Sequence, residues 1–286
     1  MAPTGDLQAE RAARRFAFGK NWSSYLTTLN DEAIEVARAA LVGVLKAPNL
    51  TGTRFLDIGC GSGLSSLVAR QQGATVTSFD YDQDSVRCTQ SLRDRYASGD
   101  PDWDVSQGSV LNMEFIEKLG MFDIVYSWGV LHHTGQMWSA ITNAATRVRT
   151  GGRFIIAIYN DQGHWSRIWL SIKNIYNRLP GPLRGPFVAA VMLPRELRSF
   201  AFATLSLQPM RYLRSWTQYR RFRGMSKWHD LVDWVGGLPF EVAKPEEIIF
   251  FMRARGFELV GMTTCAGQNG CNEFVFDRLQ PANTGA

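Results

Sequence analysis

Three glycines at alternate positions follow directly on a short apolar segment, and this feature constrains the fold most. The stretch that contains them runs from Arg54 to Asp82 and reads RFLDIGCGSGLSSLVARQQGATVTSFDYD. Its first five residues predict a β-strand, the glycines predict a tight turn, and LSSLVARQQG predicts a helix closed by Gly73. Glycine in such a turn lets the backbone pass close to a ligand.

The alternation of strand and helix continues beyond this stretch. TVTSFDYD, WDVSQGSV, FDIVYSW and GGRFIIAIYND predict four further strands, and DSVRCTQSLRDRYA and WSAITNAATRVR predict helices between them. We expect Asp82 or Asp84 to cap the first of these helices. This order predicts an α/β fold with a parallel doubly wound sheet, whose ligands bind at the carboxyl ends of the strands where the strand order reverses.

Composition places the chain among cytoplasmic globular proteins. Of its 286 residues, 45% are hydrophobic and 20% charged. The first 18 residues are polar where a signal peptide needs an apolar core, and no run approaches the roughly 18 apolar residues of a membrane span. The cysteines lack the C-x2-C spacing of zinc sites, so we expect reduced thiols and no structural metal.

The glycine pattern distinguishes between two cofactor classes. The glycines are Gly59, Gly61 and Gly63. A dinucleotide fingerprint places its last glycine where this chain has Leu64. Asp57 just before the turn would repel a pyrophosphate but can, directly or through water, accept a hydrogen bond from an ammonium group. Asp80 follows Gly59 by 21 residues and is placed to accept hydrogen bonds from ribose hydroxyls.

With LDIGCGSG and the later FDIVYSWGVLHH, the sequence resembles the class I S-adenosylmethionine-dependent methyltransferases of the small-molecule type. The resemblance covers residues 53–159 and resumes at PEEIIFFMRARGFELVGMTT and CNEFVFDRL. It implies a Rossmann-like, mostly parallel seven-stranded sheet. It also implies an N-terminal helical cover at 1–50, a core at 51–160 and 245–286, and a helical, basic lid inserted after strand five at 161–244.

The resemblance implies S-adenosylmethionine as cofactor and S-adenosylhomocysteine as product. The implied cofactor-binding residues are Asp57, Gly59, Cys60, Gly61, Gly63, Asp80, Tyr81, Ser109, Val110, Ser127 and Trp128. Among these, Asp57 would face the ammonium and Asp80 the ribose, while Tyr81 would pack on the adenine. Ser109 departs from the family pattern, which has an acid there. Trp128 beside the sulfonium would make a cation-π contact or would close the core.

Catalytic candidates follow strands four and five. His132 and His133 can each take a proton from an acceptor group, or one can tie the loop to the backbone. A base is optional, because aligning a nucleophile with the methyl group supplies much of the rate. Tyr159 is the third candidate. Predicted substrate-binding residues are Trp22, Tyr25, Asn160, Asp161, Arg220 and Arg221. Glu241 is placed to reach the same pocket.

Positive charge is concentrated in residues 160–235, which contain twelve Arg or Lys and four acids. This segment therefore carries +8 and the rest of the chain −3. Its prolines predict short helices. Three interpretations remain open: a solvated helical bundle, a lid that attracts an anionic substrate, and a surface for an anionic membrane or RNA. The absence of a recognised RNA-binding module disfavours nucleic acid.

These observations predict an enzyme that moves a methyl group from S-adenosylmethionine to an oxygen or nitrogen. We expect the acceptor to be a small, anionic molecule or a peptide terminus. The alternatives are a methyltransferase acting on RNA or protein, and a non-catalytic binding module. The intact glycines and the acids at 57 and 80 argue against the last.

Overall fold

The computed structural model describes residues 19, 29–219 and 227–280, and its centre is one seven-stranded sheet. The strands are β1 (Arg54–Ile58), β2 (Thr75–Asp80), β3 (Trp103–Gln107), β4 (Phe122–Trp128), β5 (Val148–Tyr159), β6 (Phe257–Thr263) and β7 (Cys271–Arg278). Their order across the sheet is β3-β2-β1-β4-β5-β7-β6. All neighbours are parallel except β7, which is antiparallel to both β5 and β6. This confirms the predicted fold class.

The central strands are buried on both faces, which explains their nearly continuous apolar sequence. Four of the five residues of β1 are buried, and Phe154 to Ile158 of β5 are all buried. Strands covered by helices on both sides lose the alternation of polar and apolar residues. The order of the strands reverses between β1 and β4, so their carboxyl ends open a crevice there.

Helices cover the sheet in two layers and also form a separate group after β5. The helices are α1 (Asp31–Leu45), α2 (Leu64–Gln71), α3 (Gln83–Tyr96), α4 (Met113–Lys118), α5 (Met137–Thr146), α6 (His164–Arg178), α7 (Gly181–Leu205), α8 (Pro209–Thr217), α9 (Lys227–Gly236) and α10 (Pro245–Arg253). Helices α1, α2 and α3 pack on one face of the sheet, and α4, α5 and α10 pack on the other. Asp82 caps α3 by accepting from Asp84 N, as predicted.

The segment between β5 and α10 is helical, as the sequence predicts, and has a small core of its own. Tyr176, Val188, Met192, Leu231 and Val235 form that core. The expectation that prolines break this segment into short pieces is wrong for α7, which continues through Pro186 and Pro194. Both prolines are exposed, so the carbonyl groups that lose their helical partner can bond to water. Among the described helices, none has the length and apolar character that crossing a bilayer requires.

Candidate functional site

A cavity opens at the carboxyl ends of β1, β2 and β4, where the strand order reverses. The residues that line it are Ile58, Gly59, Gly61, Phe79, Asp80, Tyr81, Asp82, Ser85, Gly108, Ser109, Val110, Trp128, Gly129, Val130, His133, Thr134 and Leu238. Most come from the turns after β1, β2, β3 and β4, and Leu238 comes from the segment that returns from α9 to the sheet. This is the position at which doubly wound sheets bind ligands.

The glycine-rich turn forms one wall of the cavity. Gly59 and Gly61 have φ angles of +76° and +54°, which side chains other than glycine rarely adopt. A Cβ atom on Gly59 would also collide with the methyl groups of Val130. The backbone conformation therefore favours glycine at both positions. At position 59, the nearby Val130 side chain also leaves no room for a Cβ atom. The bare backbone is left facing the cavity.

Asp80 is one of two acids on the cavity wall, and the other, Asp82, caps α3. Asp80 Oδ2 accepts from Gly61 N at 3.0 Å and its Oδ1 accepts from Asp82 N at 2.9 Å, so the backbone fixes the carboxyl group from both sides. Burial raises the pKa of Asp80 to about 6, and these backbone hydrogen bonds oppose the rise. A carboxylate has two lone pairs on each oxygen, so each oxygen can still accept from a hydroxyl of a bound ligand.

The turn after β3 forms the opposite apolar wall. Strand β3 ends at Gln107 rather than continuing to Val110, so the following residues leave the sheet and curve over the cavity. Gly108 lies against the ring of Phe115, which would collide with any Cβ at this position. Ser109 lines the cavity, but its hydroxyl accepts from Leu111 N at 3.2 Å within its own turn. Together with Tyr81, Val110 offers flat apolar surface to an aromatic ligand.

At the other end of the cavity lie Trp128 and His133. The Trp128 ring stacks on Tyr126 with 5.7 Å between ring centroids, and this contact holds its orientation. His133 Nδ1 lies 2.6 Å from the carbonyl oxygen of Pro239. Because a carbonyl oxygen can only accept, Nδ1 carries the proton of the neutral ring, and Nε2 carries the lone pair. The cavity therefore contains an imidazole in the tautomer of a general base.

Of the predicted cofactor-binding and catalytic residues, the structure brings the following together on the cavity wall: Gly59, Gly61, Asp80, Tyr81, Ser109, Val110, Trp128 and His133. The wall has backbone in a glycine conformation, a fixed acid and two apolar faces. These features fit a nucleoside, whose ribose hydroxyls donate to the acid and whose base packs between the apolar faces.

Asp57 does not line the cavity, and its predicted contact with an ammonium group, direct or through water, stays a prediction. Its carboxyl group is 2% exposed and accepts from Ser66 Oγ at 2.5 Å. Ser66 is in the first turn of α2, and its backbone N–H also bonds to Asp57. The acid thus satisfies donors at the amino end of α2 and orients the helix that follows the glycines. Desolvation raises its pKa to about 7.

The stability of the protein should depend on the titration of Asp57. Folded Asp57 holds its proton up to a pKa of about 7, against 3.8 as the ordinary value, so its contribution is full below about pH 4 and is lost as the pH rises through 7. Between pH 5 and 8 this loss is about 2 to 3 kcal/mol. Asp57→Asn should flatten the decline of the unfolding free energy by that amount in urea titrations at both pH values.

The control for this measurement is Asp104→Asn, which neutralises an exposed carboxylate on the nearby β3. We expect that variant to keep the decline of the unmodified protein. An equal decline in Asp57→Asn and the unmodified protein would contradict a protonated Asp57 in the folded state.

Three further residues that were predicted to bind the cofactor are also absent from the cavity wall. They are Cys60, Gly63 and Ser127. The Cys60 thiol accepts from Thr89 Oγ1 at 3.2 Å, on the α3 side of the turn. Gly63 packs against Thr89 as well, since a Cβ added to it would lie 2.9 Å from Thr89 Cγ2, so it serves the close approach of α3. Ser127 is fully buried and donates to the carbonyl of Ile58 at 3.0 Å, which ties β4 to β1. These residues shape the turns and do not face the cavity.

His132 and Tyr159 lie behind the cavity wall. His132 is 0% exposed, and its Nδ1 accepts from Tyr159 N at 3.3 Å. Burial, with the nearby His133 and Lys173, holds its pKa well below the usual range, so the ring is neutral. The Tyr159 ring packs on His132 with 3.9 Å between centroids. The two histidines thus divide into a buried ring that holds the loop and an accessible one that faces the ligand.

The predicted substrate contacts after β5 are not on the cavity wall. Asn160 Oδ1 accepts from Asn272 Nδ2 of β7 at 2.9 Å, which ties the end of β5 to β7, and Asp161 Oδ1 accepts from Gly163 N at 2.8 Å, which holds the local turn. Glu241 caps α5 by accepting from Met137 N at 3.1 Å with each oxygen. The other predicted contacts, Trp22, Tyr25, Arg220 and Arg221, lie outside the described residues.

A buried lysine that was not predicted from the sequence connects the helical insertion to this site. Lys173 of α6 is 0% exposed, donates to the carbonyl of Trp234 and lies 4.7 Å from the centre of the Phe240 ring. Burial lowers its pKa to about 7. Asn177 on the same helix donates to the carbonyl of Gly236 at 2.8 Å. Both residues bind the last carbonyls of α9, which have no partner within the helix.

Residues 237–243, which we call the return loop, lead from this anchor to the cavity. Leu238 lines the cavity, Pro239 accepts from His133, and Glu241 N donates to the carbonyl of His132 at 3.0 Å. The only hint of this arrangement in the sequence is one lysine among apolar residues of a helix, and such a lysine is ordinarily on the surface. The insertion therefore ends in the loop that orients the predicted base.

Residues 56–156 match a family model described as a methyltransferase domain, and this range includes β2 to β4, most of β1 and β5, and the turns between them. The chain therefore contains a methyltransferase domain. The match contains every cavity-lining residue except Leu238. The methyltransferase domain is thus the part that carries the glycine turn, Asp80 and His133.

Named relatives are similar over part of the chain. A ubiquinone biosynthesis O-methyltransferase of Rhizobium etli (strain CIAT 652) is 34% identical over 116 residues, which cover 40% of this chain and 45% of that protein. The 27-O-demethylrifamycin SV methyltransferase of Amycolatopsis mediterranei (strain S699) is 32% identical over 136 residues, covering 47% of this chain and 48% of that protein. The chain thus spans about half the length of the curated relatives it matches.

Among solved structures, the magnesium protoporphyrin IX methyltransferase from Synechocystis PCC 6803 with bound S-adenosylhomocysteine superposes with a TM-score of 0.51. The two chains are 16% identical, and the match covers 86% of this chain and 84% of the other. At this identity the likeness establishes a shared fold and leaves the acceptor open.

Proposed function

We propose that the protein transfers the methyl group of S-adenosylmethionine to a hydroxyl oxygen of a small molecule. One observation carries the proposal: the cavity wall joins the glycine turn and the fixed Asp80 carboxyl group to an imidazole, that of His133, whose Nδ1 lies 2.6 Å from the Pro239 carbonyl oxygen. The relatives support the choice of oxygen, because one is named an O-methyltransferase and the other is named for a 27-O-demethyl compound.

The wall of the cavity would hold S-adenosylmethionine by its nucleoside. Asp80 would accept from the two ribose hydroxyls, and its carboxylate is already fixed by Gly61 and Asp82. Tyr81 and Val110 would enclose the adenine ring. Trp128 lies towards the predicted base, where its ring face would attract the positive sulfonium. The pre-ordered carboxylate reduces the entropy that binding costs.

When bound, S-adenosylmethionine supplies an electrophilic methyl group. The chain would position an acceptor hydroxyl in line with that methyl, and His133 Nε2 would take the hydroxyl proton as the new oxygen–carbon bond forms and the carbon–sulfur bond breaks. Leu238 and Val130 would keep water away from this end of the cavity. His133 then holds the proton, which leaves to solvent after product release.

We base the proposal of a small, anionic acceptor on the charge of the insertion and not on the cavity lining. Residues 160–235 carry +8, and α9 leads into the return loop, whose Leu238 lines the cavity. An anionic acceptor would therefore be drawn towards this side of the domain. A methyltransferase for RNA or protein is the second candidate, favoured by the same charge.

Ligand binding and turnover together test this function. Titration calorimetry should show S-adenosylhomocysteine binding with micromolar affinity and no heat for a nicotinamide dinucleotide. Methyl transfer from labelled S-adenosylmethionine should then be measured on catechols, phenolic acids and hydroxylated macrocycles. Binding of the nicotinamide dinucleotide alone would contradict the proposal, and labelled RNA as the preferred acceptor would favour the second candidate.

A further inference from the structure

Many of the exposed apolar side chains among the described residues lie on α7 and α8, which do not line the cavity. We call residues 181–217 the helical hairpin. Exposed apolar side chains follow the whole of it, and they are Leu183, Leu193, Leu197, Phe200, Phe202, Leu205, Leu207, Met210, Leu213 and Trp216. Leu193, Leu197 and Phe200 lie at helical spacing on one side of α7. Scattered exposed apolar residues are normal, but a contiguous group marks a contact surface.

The tip of the hairpin is its most exposed part. Leu205 and Leu207 are 85% and 90% exposed, and Phe202 is 64% exposed. Leu207 has a φ of +56°, a conformation that favours glycine and asparagine over leucine. Neither packing nor backbone conformation therefore accounts for a leucine at this point of the turn.

Helix α8 packs on α7 through Tyr212 but has no buried residue. Met210 and Leu213 form this side, and both are more than half exposed. Arg211 and Arg214 are exposed next to them along the helix. A helix with an apolar stripe, flanking arginines and no buried residue is typical of helices that lie in a membrane interface.

The charge of the hairpin is strongly one-sided. Between residues 181 and 219 the chain has five arginines and a single acid, Glu196. Glu196 is turned inward, where its Oε2 lies 2.7 Å from Lys227 Nζ and accepts from Trp216 Nε1 at 3.1 Å. The outer surface of the hairpin is therefore positive as well as apolar.

We propose that the helical hairpin docks on the surface of an anionic lipid bilayer. Leu205, Leu207 and Phe202 at the tip would enter the boundary between head groups and acyl chains, while the arginines would bind lipid phosphates. An anionic bilayer has a negatively charged head-group layer, which complements the arginines, above an apolar layer, which complements the leucines and the phenylalanine.

A second copy of the chain fits the same surface poorly. A twofold contact brings each residue patch against itself, so the arginines of one hairpin would face those of the other. Glu196 could not compensate them, because it is already paired within its own chain. An anionic bilayer complements the positive charge without this repulsion.

Flotation with vesicles tests the proposal on the full chain. The protein should float with phosphatidylcholine vesicles that contain phosphatidylglycerol and should stay behind with pure phosphatidylcholine at physiological salt. Leu205→Ser and Leu207→Ser should each lower the partition coefficient about tenfold or more, because each removes an apolar side chain from the interface. Arg214→Glu should lower it by about tenfold on the anionic vesicles.

Matched controls lie on α10, outside the hairpin. Phe250 is 67% exposed and Arg253 is exposed, so Phe250→Ser and Arg253→Glu change similar groups elsewhere on the surface. Both should bind vesicles normally, and thermal unfolding should be equal for all variants. Equal losses in hairpin and control variants would overturn the proposal. So would a dimer in sedimentation equilibrium without lipid that Leu207→Ser dissolves, because the second copy would then be the occupant.

Discussion

His133→Ala should lower the turnover number for methyl transfer about 10²- to 10⁴-fold while the affinity for S-adenosylhomocysteine stays within a few fold. The physical reason is the tautomer that Pro239 imposes: its carbonyl accepts from the protonated Nδ1, so that Nε2 can take the proton of the acceptor hydroxyl. Loss of the ring removes the base but leaves the glycine turn and Asp80, which hold the nucleoside. Steady-state kinetics and calorimetry on the same preparation separate the two effects.

Two further variants show whether proton transfer is the cause. In His133→Asn, the amide nitrogen can still donate to the Pro239 carbonyl, so the return loop keeps its contact while the base is lost. We expect it to be nearly as slow as His133→Ala. His164→Asn changes an exposed histidine outside the cavity wall and should be fully active. A decrease of less than tenfold in His133→Ala would indicate that alignment alone supplies the rate.

The fold could be predicted from sequence because its signals are local and repeated. Strands β1, β4 and β5 contain apolar runs, β2 and β3 alternate apolar with polar residues, and helices lie between the strands. The terminal pair β6 and β7 came from the family resemblance, since two short strands after a long helical segment carry little topological information of their own. The long helix α7 was missed because prolines normally end helices, and its exposed prolines do not.

The site could be predicted at the level of turns but not of side-chain direction. Residues in a turn after a strand point to either side of the sheet, and nothing in the local sequence says which. Asp57 and Asp80 both belong to apolar runs, yet Asp57 turns to the first turn of α2 and Asp80 to the cavity. His132 and His133 are adjacent and their ring centroids lie 4.5 Å apart, yet only His133 lines the cavity while His132 is fully buried, and the sequence does not say which is which.

The contribution of the insertion was inaccessible for a different reason. Pro239 follows His133 by 106 residues in the chain. It contacts His133 through its backbone carbonyl group, and a backbone group has no sequence signature. Lys173 and Asn177 fix the loop in the same way, through the carbonyls of Trp234 and Gly236. Such contacts depend on how the insertion packs on the sheet, and no spacing within the chain encodes that packing.

Asp80→Ala should weaken the binding of S-adenosylhomocysteine by about 10- to 150-fold, which corresponds to about 1.5 to 3 kcal/mol for the hydrogen bonds of a charged acceptor. The carboxylate would lose its bonds to the ribose, and the backbone N–H of Gly61 would lose the acceptor that now holds the glycine turn. Calorimetry at pH 8, where the unmodified carboxyl group is ionised, measures the full effect. Glu258→Ala, which removes a carboxylate on β6 outside the cavity wall, is the control and should bind normally.

The pH dependence of binding separates the charge of Asp80 from its shape. With a pKa of about 6, Asp80 is ionised at pH 8 and largely protonated at pH 5. A protonated carboxyl group is a weaker acceptor for ribose hydroxyls, so the affinity of the unmodified protein should fall as the pH drops through 6. Asp80→Asn keeps the size of the side chain without the titration, and its weaker affinity should be nearly constant over this range. Parallel pH profiles for the two proteins would mean that another group, with Asp57 as the nearest candidate, controls the binding of the nucleoside.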